Sequence, residues 1–150
     1  MEFQKFGNNY VVRIDKGEEV LQKLKEVCEK ENIKLGGITG LGATDKVVLG
    51  LFDTEEKKYN KTTLTGPMEI TSLIGNISTS NRKCYLHCHI NVCDKNMSVH
   101  GGHLNECYIS ATGEFIISAI DGEVERELSK EIGLNSVSYT HLTLPTNSRV

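Results

Sequence analysis

One alternating stretch limits the fold more than any other. In Leu86-His87-Cys88-His89-Ile90-Asn91-Val92, the apolar residues Leu86, Cys88, Ile90 and Val92 fall on one parity, while Tyr85, His87, His89 and Asn91 fall on the other. That is the period of a β-strand with one face on a core and the other toward water. The strand brings two imidazoles to its polar face, about 7 Å apart along the chain.

A second histidine motif, His100-Gly101-Gly102-His103-Leu104, follows ten residues on. Two neutral imidazoles on one face, joined by a third from a nearby turn, form a common holder for a divalent metal. His-x-His alone arises often on ordinary solvated strand faces, so the added glycines and histidines carry weight. Paired glycines permit positive φ and a tight turn, and they let one backbone approach another closely. The spacing leaves His100 and His103 open as the third ligand, and the glycine pair favours His103. The resulting set, His87, His89 and His103, would hold zinc or a similar ion and leave positions open for water or a carboxylate.

Glu69 is the candidate carboxylate. It lies in Gly66-Pro67-Met68-Glu69-Ile70-Thr71-Ser72-Leu73-Ile74-Gly75, a strand-like run opened by a Gly-Pro turn. A charge in such a run is most simply solvated. If the polar faces of this strand and the histidine strand converge, Glu69 becomes a fourth ligand or a general base.

The remaining chain surrounds these segments with one helix and several strands. Val20, Leu21, Leu24, Val27 and Cys28 make an apolar stripe of helical period. Asp15-Lys16-Gly17-Glu18 before it has the spacing of an N-cap with a returning carboxylate, and the helix is expected to end near Glu31-Asn32. Tyr10–Ile14 reads as a first strand. Gly36-Gly37-Ile38-Thr39-Gly40-Leu41-Gly42 matches neither a Walker loop nor a dinucleotide fingerprint, and reads as a strand with a sharp bend. Val47–Phe52 reads as a buried strand, Asp53 to Lys61 as a charged loop or hairpin. Strand-like runs recur at Met68–Ile77, Tyr85–Val92, Glu106–Ser110 and Glu114–Ile120. The expectation is an α+β domain, one helix packed on a largely antiparallel sheet of five or six strands.

With 150 residues, 38% hydrophobic and 25% charged, the chain suits one globular domain. It has no apolar run of membrane-spanning length and no secretory leader pattern, which points to the cytoplasm. The five cysteines, an odd number, are then expected as reduced thiols. A zinc site from Cys84, Cys88 and Cys93 lacks a Cys-x₂-Cys knuckle and has mixed parity.

Residues 137–150 are expected to lie outside the domain, which is placed at 1–136. Ser138–Thr146 resembles a translated sequencing adapter, and the segment has neither acidic residues nor helical period. Setting it aside removes His141 from the candidate ligands and Arg149 from the basic residues.

The order of motifs resembles the domain shared by plants and prokaryotes, the PPC domain. The resemblance runs from Tyr10 through Gly133-Leu134. It rests on Gly17-Glu18, Ile38-Thr39-Gly40-Leu41-Gly42-Ala43, Gly66–Ile70 with Ser72–Ser78, Leu86-His87-Cys88-His89 and Gly101-Gly102-His103-Leu104. It implies one helix on an antiparallel sheet, assembly as a homotrimer, and the DNA-binding label that stand-alone bacterial and archaeal members carry. A more distant resemblance, to acetolactate decarboxylase, concerns the site. It implies zinc held by His87, His89 and His103 with Glu69 as the carboxylate. The connection between the second and third histidines is longer here, so decarboxylation is not implied.

Three functions follow as expectations. DNA binding suits the family label, but the formal charge is −3 and the adjacent basic pairs are only Lys57-Lys58 and Arg82-Lys83. Duplex affinity needs clustered cations, so direct DNA binding is expected to be weak. A metal-dependent enzyme or sensor for a small carbonyl or anionic ligand suits the histidines. Arg126 is a candidate clamp for such an anion, with a surface salt bridge as the plainer role. A trimeric interaction module is the third.

Overall fold

The structure is a computed structural model that describes residues 1–138. Residues 139–150, with His141 and most of the segment expected to be foreign, lie outside the described residues. The apolar stripe forms helix α1 (Val20–Lys30), which buries Val20, Leu24, Val27 and Cys28. Its N-cap is Glu19, whose carboxylate accepts from the Gln22 backbone N–H at 2.7 Å. This corrects the cap expected at Asp15. The Glu18 carboxylate does reach back to the Asp15 N–H at 2.9 Å. Asp15, however, is held by the amino group of Met1 at 2.6 Å and by Arg13, and Gly17 turns the chain at φ 85° before the helix begins.

Among the described residues eight strands form one sheet, a correction to the five or six expected. They are β1 (Glu2–Phe6), β2 (Asn9–Asp15), β3 (Gly36–Asp53), β4 (Lys58–Ser80), β5 (Lys83–Asp94), β6 (Val99–Ala119), β7 (Glu125–Ser129) and β8 (Leu134–Ser138). Three of them, β1, β7 and β8, are short and largely exposed, so no apolar alternation marks them. Segments expected as separate strands also merge. Gly36–Gly42 and Val47–Phe52 are both β3, and Glu106–Ser110 and Glu114–Ile120 both fall on β6, which ends at Ala119. The sharp bend is a pair of register shifts in β3, one between Gly40 and Gly42 and one between Thr44 and Lys46. Gly42, at φ 154°, meets β6 so closely that a Cβ there would strike the Thr112 carbonyl oxygen.

The strand order is β1-β2-β6-β3-β4-β7-β8, and β5 pairs with both β4 and β6. Strands β3, β4, β5 and β6 therefore close a ring of hydrogen-bonded neighbours. All pairings are antiparallel except the short contact of β4 with β7. The expected architecture, one helix on a largely antiparallel sheet, is the one observed. Ile14, Leu24, Ile38, Leu73, Ile90, Phe115 and Ile117 fill the core between α1 and the sheet. Full burial of a side chain of this size contributes roughly 1.5–3 kcal/mol. No helix among the described residues is long and apolar enough to cross a membrane.

Candidate metal centre

Pairing of β5 with β6 sets His89 directly opposite His103, and His87 stands two residues along on the same face. The apolar parity of β5 fixes that orientation, because Cys88, Ile90 and Val92 are all buried in the core. One nitrogen from each of His87, His89 and His103 lies within 4.8 Å of the others. Among the described residues no other three His, Cys, Asp or Glu side chains come together in this way. The ring centroids are 5.1, 5.2 and 5.6 Å apart, so the His87 and His89 rings lean closer than their backbone spacing.

The Gly101-Gly102 pair works differently from the turn expected of it. Both residues lie inside β6, paired with Asn91 and Ile90, and neither has positive φ. The turn comes earlier, at Lys95–Ser98, where Met97 has φ 62°. What the glycines supply is closeness. A Cβ on Gly102 would stand 2.8 Å from the Gly50 carbonyl oxygen, and one on Gly101 would strike the Asn91 side chain. His103 is thereby drawn between β3 and β5, facing Gly50 on one side and His89 on the other.

His100, the alternative third imidazole, points elsewhere. Its Nε2 lies 3.1 Å from Asp94 Oδ2 at the exposed hairpin. That contact, with backbone N–H bonds from Asn96 and Ser98, holds the Asp94 carboxyl below the usual range. Glu69 is not among the gathered residues. It is exposed and pairs with Cys93, four residues along β5 from His89, roughly 13 Å at strand rise. The cysteines do not converge either: Cys88 faces the core, and Cys93 lies against Asp94 and Met97.

Two more side chains stand beside the cluster: Tyr59, which escapes a reading of the sequence, and Arg126, expected as an anion clamp or a surface salt bridge. Tyr59 packs its ring edge-on to His103, centroids 6.2 Å apart, and exchanges hydrogen bonds with Asn105 at 2.7–3.0 Å. Its path crosses Gly50, where a Cβ would run into the Tyr59 hydroxyl. A glycine inside the apolar run Val47–Phe52 was the available signal for such a close approach. The second neighbour is Arg126, which is buried at 7% exposure rather than engaged in a surface ion pair. Its Nε donates to Ser78 Oγ at 2.8 Å, and its Nη2 lies 3.3 Å from His87 Nδ1.

The electrostatics favour the neutral form of His87 and His103. Burial, then the charge of Arg126, then the other two rings push His87 down to about 4. Burial and His89 lower His103 as well. Neutral rings compete poorly for protons and offer lone pairs near pH 7. The distances also fit an ion. His87 Nε2 and His89 Nε2 are 3.3 Å apart, and two nitrogens bound to zinc at 2.0–2.1 Å and a tetrahedral angle stand about 3.3 Å apart.

Comparison with known proteins agrees with this architecture. The Plants and Prokaryotes Conserved (PCC) domain matches residues 1–121. A candidate DNA-binding protein from Bacteroides thetaiotaomicron is 33% identical, with a TM-score of 0.90 over 92% of this chain and 96% of that one. A metal-containing protein from Archaeoglobus fulgidus is 29% identical, with a TM-score of 0.82 over 92% and 99%. A plant- and prokaryote-conserved protein from Pyrococcus horikoshii is 32% identical, with a TM-score of 0.78 over 90% and 94%. Acetolactate decarboxylase from Bacillus subtilis shares the fold alone, at 16% identity and a TM-score of 0.53, and the chain spans about half its length. No curated protein matches the sequence. With the family domain matching residues 1–121, most of its length, the chain belongs to the Plants and Prokaryotes Conserved domain family.

Proposed function

We propose that this protein holds a divalent metal, most simply zinc, on His87, His89 and His103, and works on a small anionic or carbonyl ligand at that ion. The observation that carries the reading is the 3.3 Å separation of the His87 and His89 Nε2 atoms, with the third ring directly across the strand pair. The Archaeoglobus relative, described as metal-containing, supports it. Such an ion supplies a Lewis acid for a ligand oxygen or lowers the proton affinity of a bound water. The chain's own residues orient the rings, exclude water on the core side, and place Arg126 beside His87. A carboxylate from Glu69 reaches the ion only if a second subunit delivers it.

Assembly belongs to the same reading. Across the open face of the sheet, Val11, Ile116, Thr39, Ile74 and His89 form one cross-strand row. Val11, Ile116 and Ile74 are exposed, as is nearby Leu41. An apolar row that ends at the histidine cluster suits burial between copies, and a homotrimer is the assembly we infer. The functional unit in this reading is residues 1–136, working in the cytoplasm with free thiols.

DNA remains the partner named for the Bacteroides relative. Against a strong direct contact here, Arg13, Lys23, Lys25, Lys34 and Lys46 are all paired with carboxylates. A duplex complex of nanomolar affinity at physiological salt would show that DNA is the ligand after all.

The test is metal analysis of freshly purified protein beside His87→Ala and His103→Ala, with light scattering on each. The reading expects bound metal in the parent, loss in both variants, and a trimeric mass. Equal metal content in all three proteins would overturn it.

A further inference from the structure

The contact between Arg126 and His87 sits uneasily with a metal on His87. A guanidinium carries five N–H donors and no acceptor, so His87 Nδ1 meets Nη2 with its lone pair, at 3.3 Å. The neutral ring must then carry its proton on Nε2. That nitrogen faces His89 Nε2 at 3.3 Å, and donates to it. A metal-bound ring needs the opposite arrangement, with the Nε2 lone pair on the ion and the Nδ1–H given to an acceptor.

Arg126 is no stray surface side chain. Besides its bond to Ser78, Nη1 donates to the Asn135 carbonyl at 3.3 Å, and the guanidinium lies 5.0 Å from the centre of the Tyr85 ring. The anchored Nε leaves the Nη2 end as the part that can change partner. The imidazole is a neutral acceptor for Nη2, whereas a carboxylate brings opposite charge to the same donor, makes the stronger bond and displaces the ring.

We propose that Arg126 is a latch on the metal centre. It holds His87 in the tautomer that presents a proton to the site, and a small carboxylate opens it by accepting the guanidinium donors. The His87 proton then passes from Nε2 to Nδ1 through solvent, and the freed lone pair turns to the ion. Metal and carboxylate both favour the open state, so each tightens the binding of the other. The inference rests on the metal reading above and names the ligand class of that same site.

Long-range ¹⁵N–¹H correlation on the metal-free wild type reads the tautomer directly. The latch expects Nε2–H at His87, and an Nδ1–H signal would overturn it. Cobalt(II) titrations then compare wild type with Arg126→Gln and Arg126→Met, each checked by its melting curve. The glutamine oxygen can accept from Nδ1–H, so about tenfold tighter cobalt binding is expected there, with a smaller gain for methionine. Formate at fixed ionic strength should tighten cobalt in wild type and leave Arg126→Gln unchanged. Folded variants that bind cobalt no more tightly than wild type, or formate acting equally on all, overturn the latch alone. A wild type that takes up no cobalt overturns the metal reading, and the latch with it.

Discussion

Strand β5 shows two faces built on one backbone, and they differ in what holds them. Cys88, Ile90 and Val92 are buried against the core, where apolar packing asks for no partner. His87 and His89, one residue out of phase, sit among polar neighbours whose donors and acceptors must match. The core face tolerates any well-packed apolar set of similar volume. The histidine face depends on which nitrogen carries a proton. Fold and chemistry thus share a strand but respond to different substitutions.

The largest expected contrast comes from emptying the core side. Ile90→Ala should cost about 2–5 kcal/mol in denaturant unfolding, as for other buried aliphatic truncations. His89→Ala, on the exposed side of the same strand, should shift stability by under about 1 kcal/mol while abolishing metal uptake. Equal losses of stability would erase the distinction between the faces.

Next is the close approach that sets His103. Gly102→Val pushes a side chain at the Gly50 carbonyl, 2.8 Å from where a Cβ would sit. Overpacking of this kind costs about 1–3 kcal/mol, and metal affinity should fall with it. Wild-type metal binding in a folded Gly102→Val protein would mean that the glycine does not position His103. Tyr59→Phe is milder. It removes the hydroxyl bonded to Asn105, at about 1 kcal/mol, and keeps the ring against His103.

A further effect is one of pH. His87 sits at about 4 in the folded chain against 6.5 for a free side chain. Between those values the unfolded chain binds more protons, so stability of the metal-free protein is full above about 6.5 and declines as pH falls toward 4. The lowered His103 adds in the same direction. Replacing His87 with Asn should flatten that slope in thermal melts taken across the interval; an unchanged slope would assign it to other groups.

Periodicity made much of this legible. The stripe of α1 and the alternation of β5 are written in residues that face a core, and burial enforces their spacing. The short strands β1, β7 and β8 bury little, so nothing in their residues had to alternate. The glycines of β3 and β6 read as breaks because a bulge and a turn draw on the same residues. Gathering of the three rings could be anticipated from parity and the Gly-Gly-His motif. Tyr59 could not, since it reaches His103 through the pairing of distant segments, and Arg126 was legible as an anion clamp but not as a buried neighbour of His87. Glu69 shows the limit of motif transfer: its neighbours in the sequence fit, while the register of β4 on β5 sets it apart from the rings.

The most direct test of the central claim is X-ray absorption at the metal edge of zinc-loaded protein. The account predicts three imidazole nitrogens at about 2.0–2.1 Å, with the multiple-scattering pattern of histidine, and that pattern reduced in His103→Ala. A shell of sulfur from the cysteines, or fewer than three imidazoles in the parent protein, would contradict it.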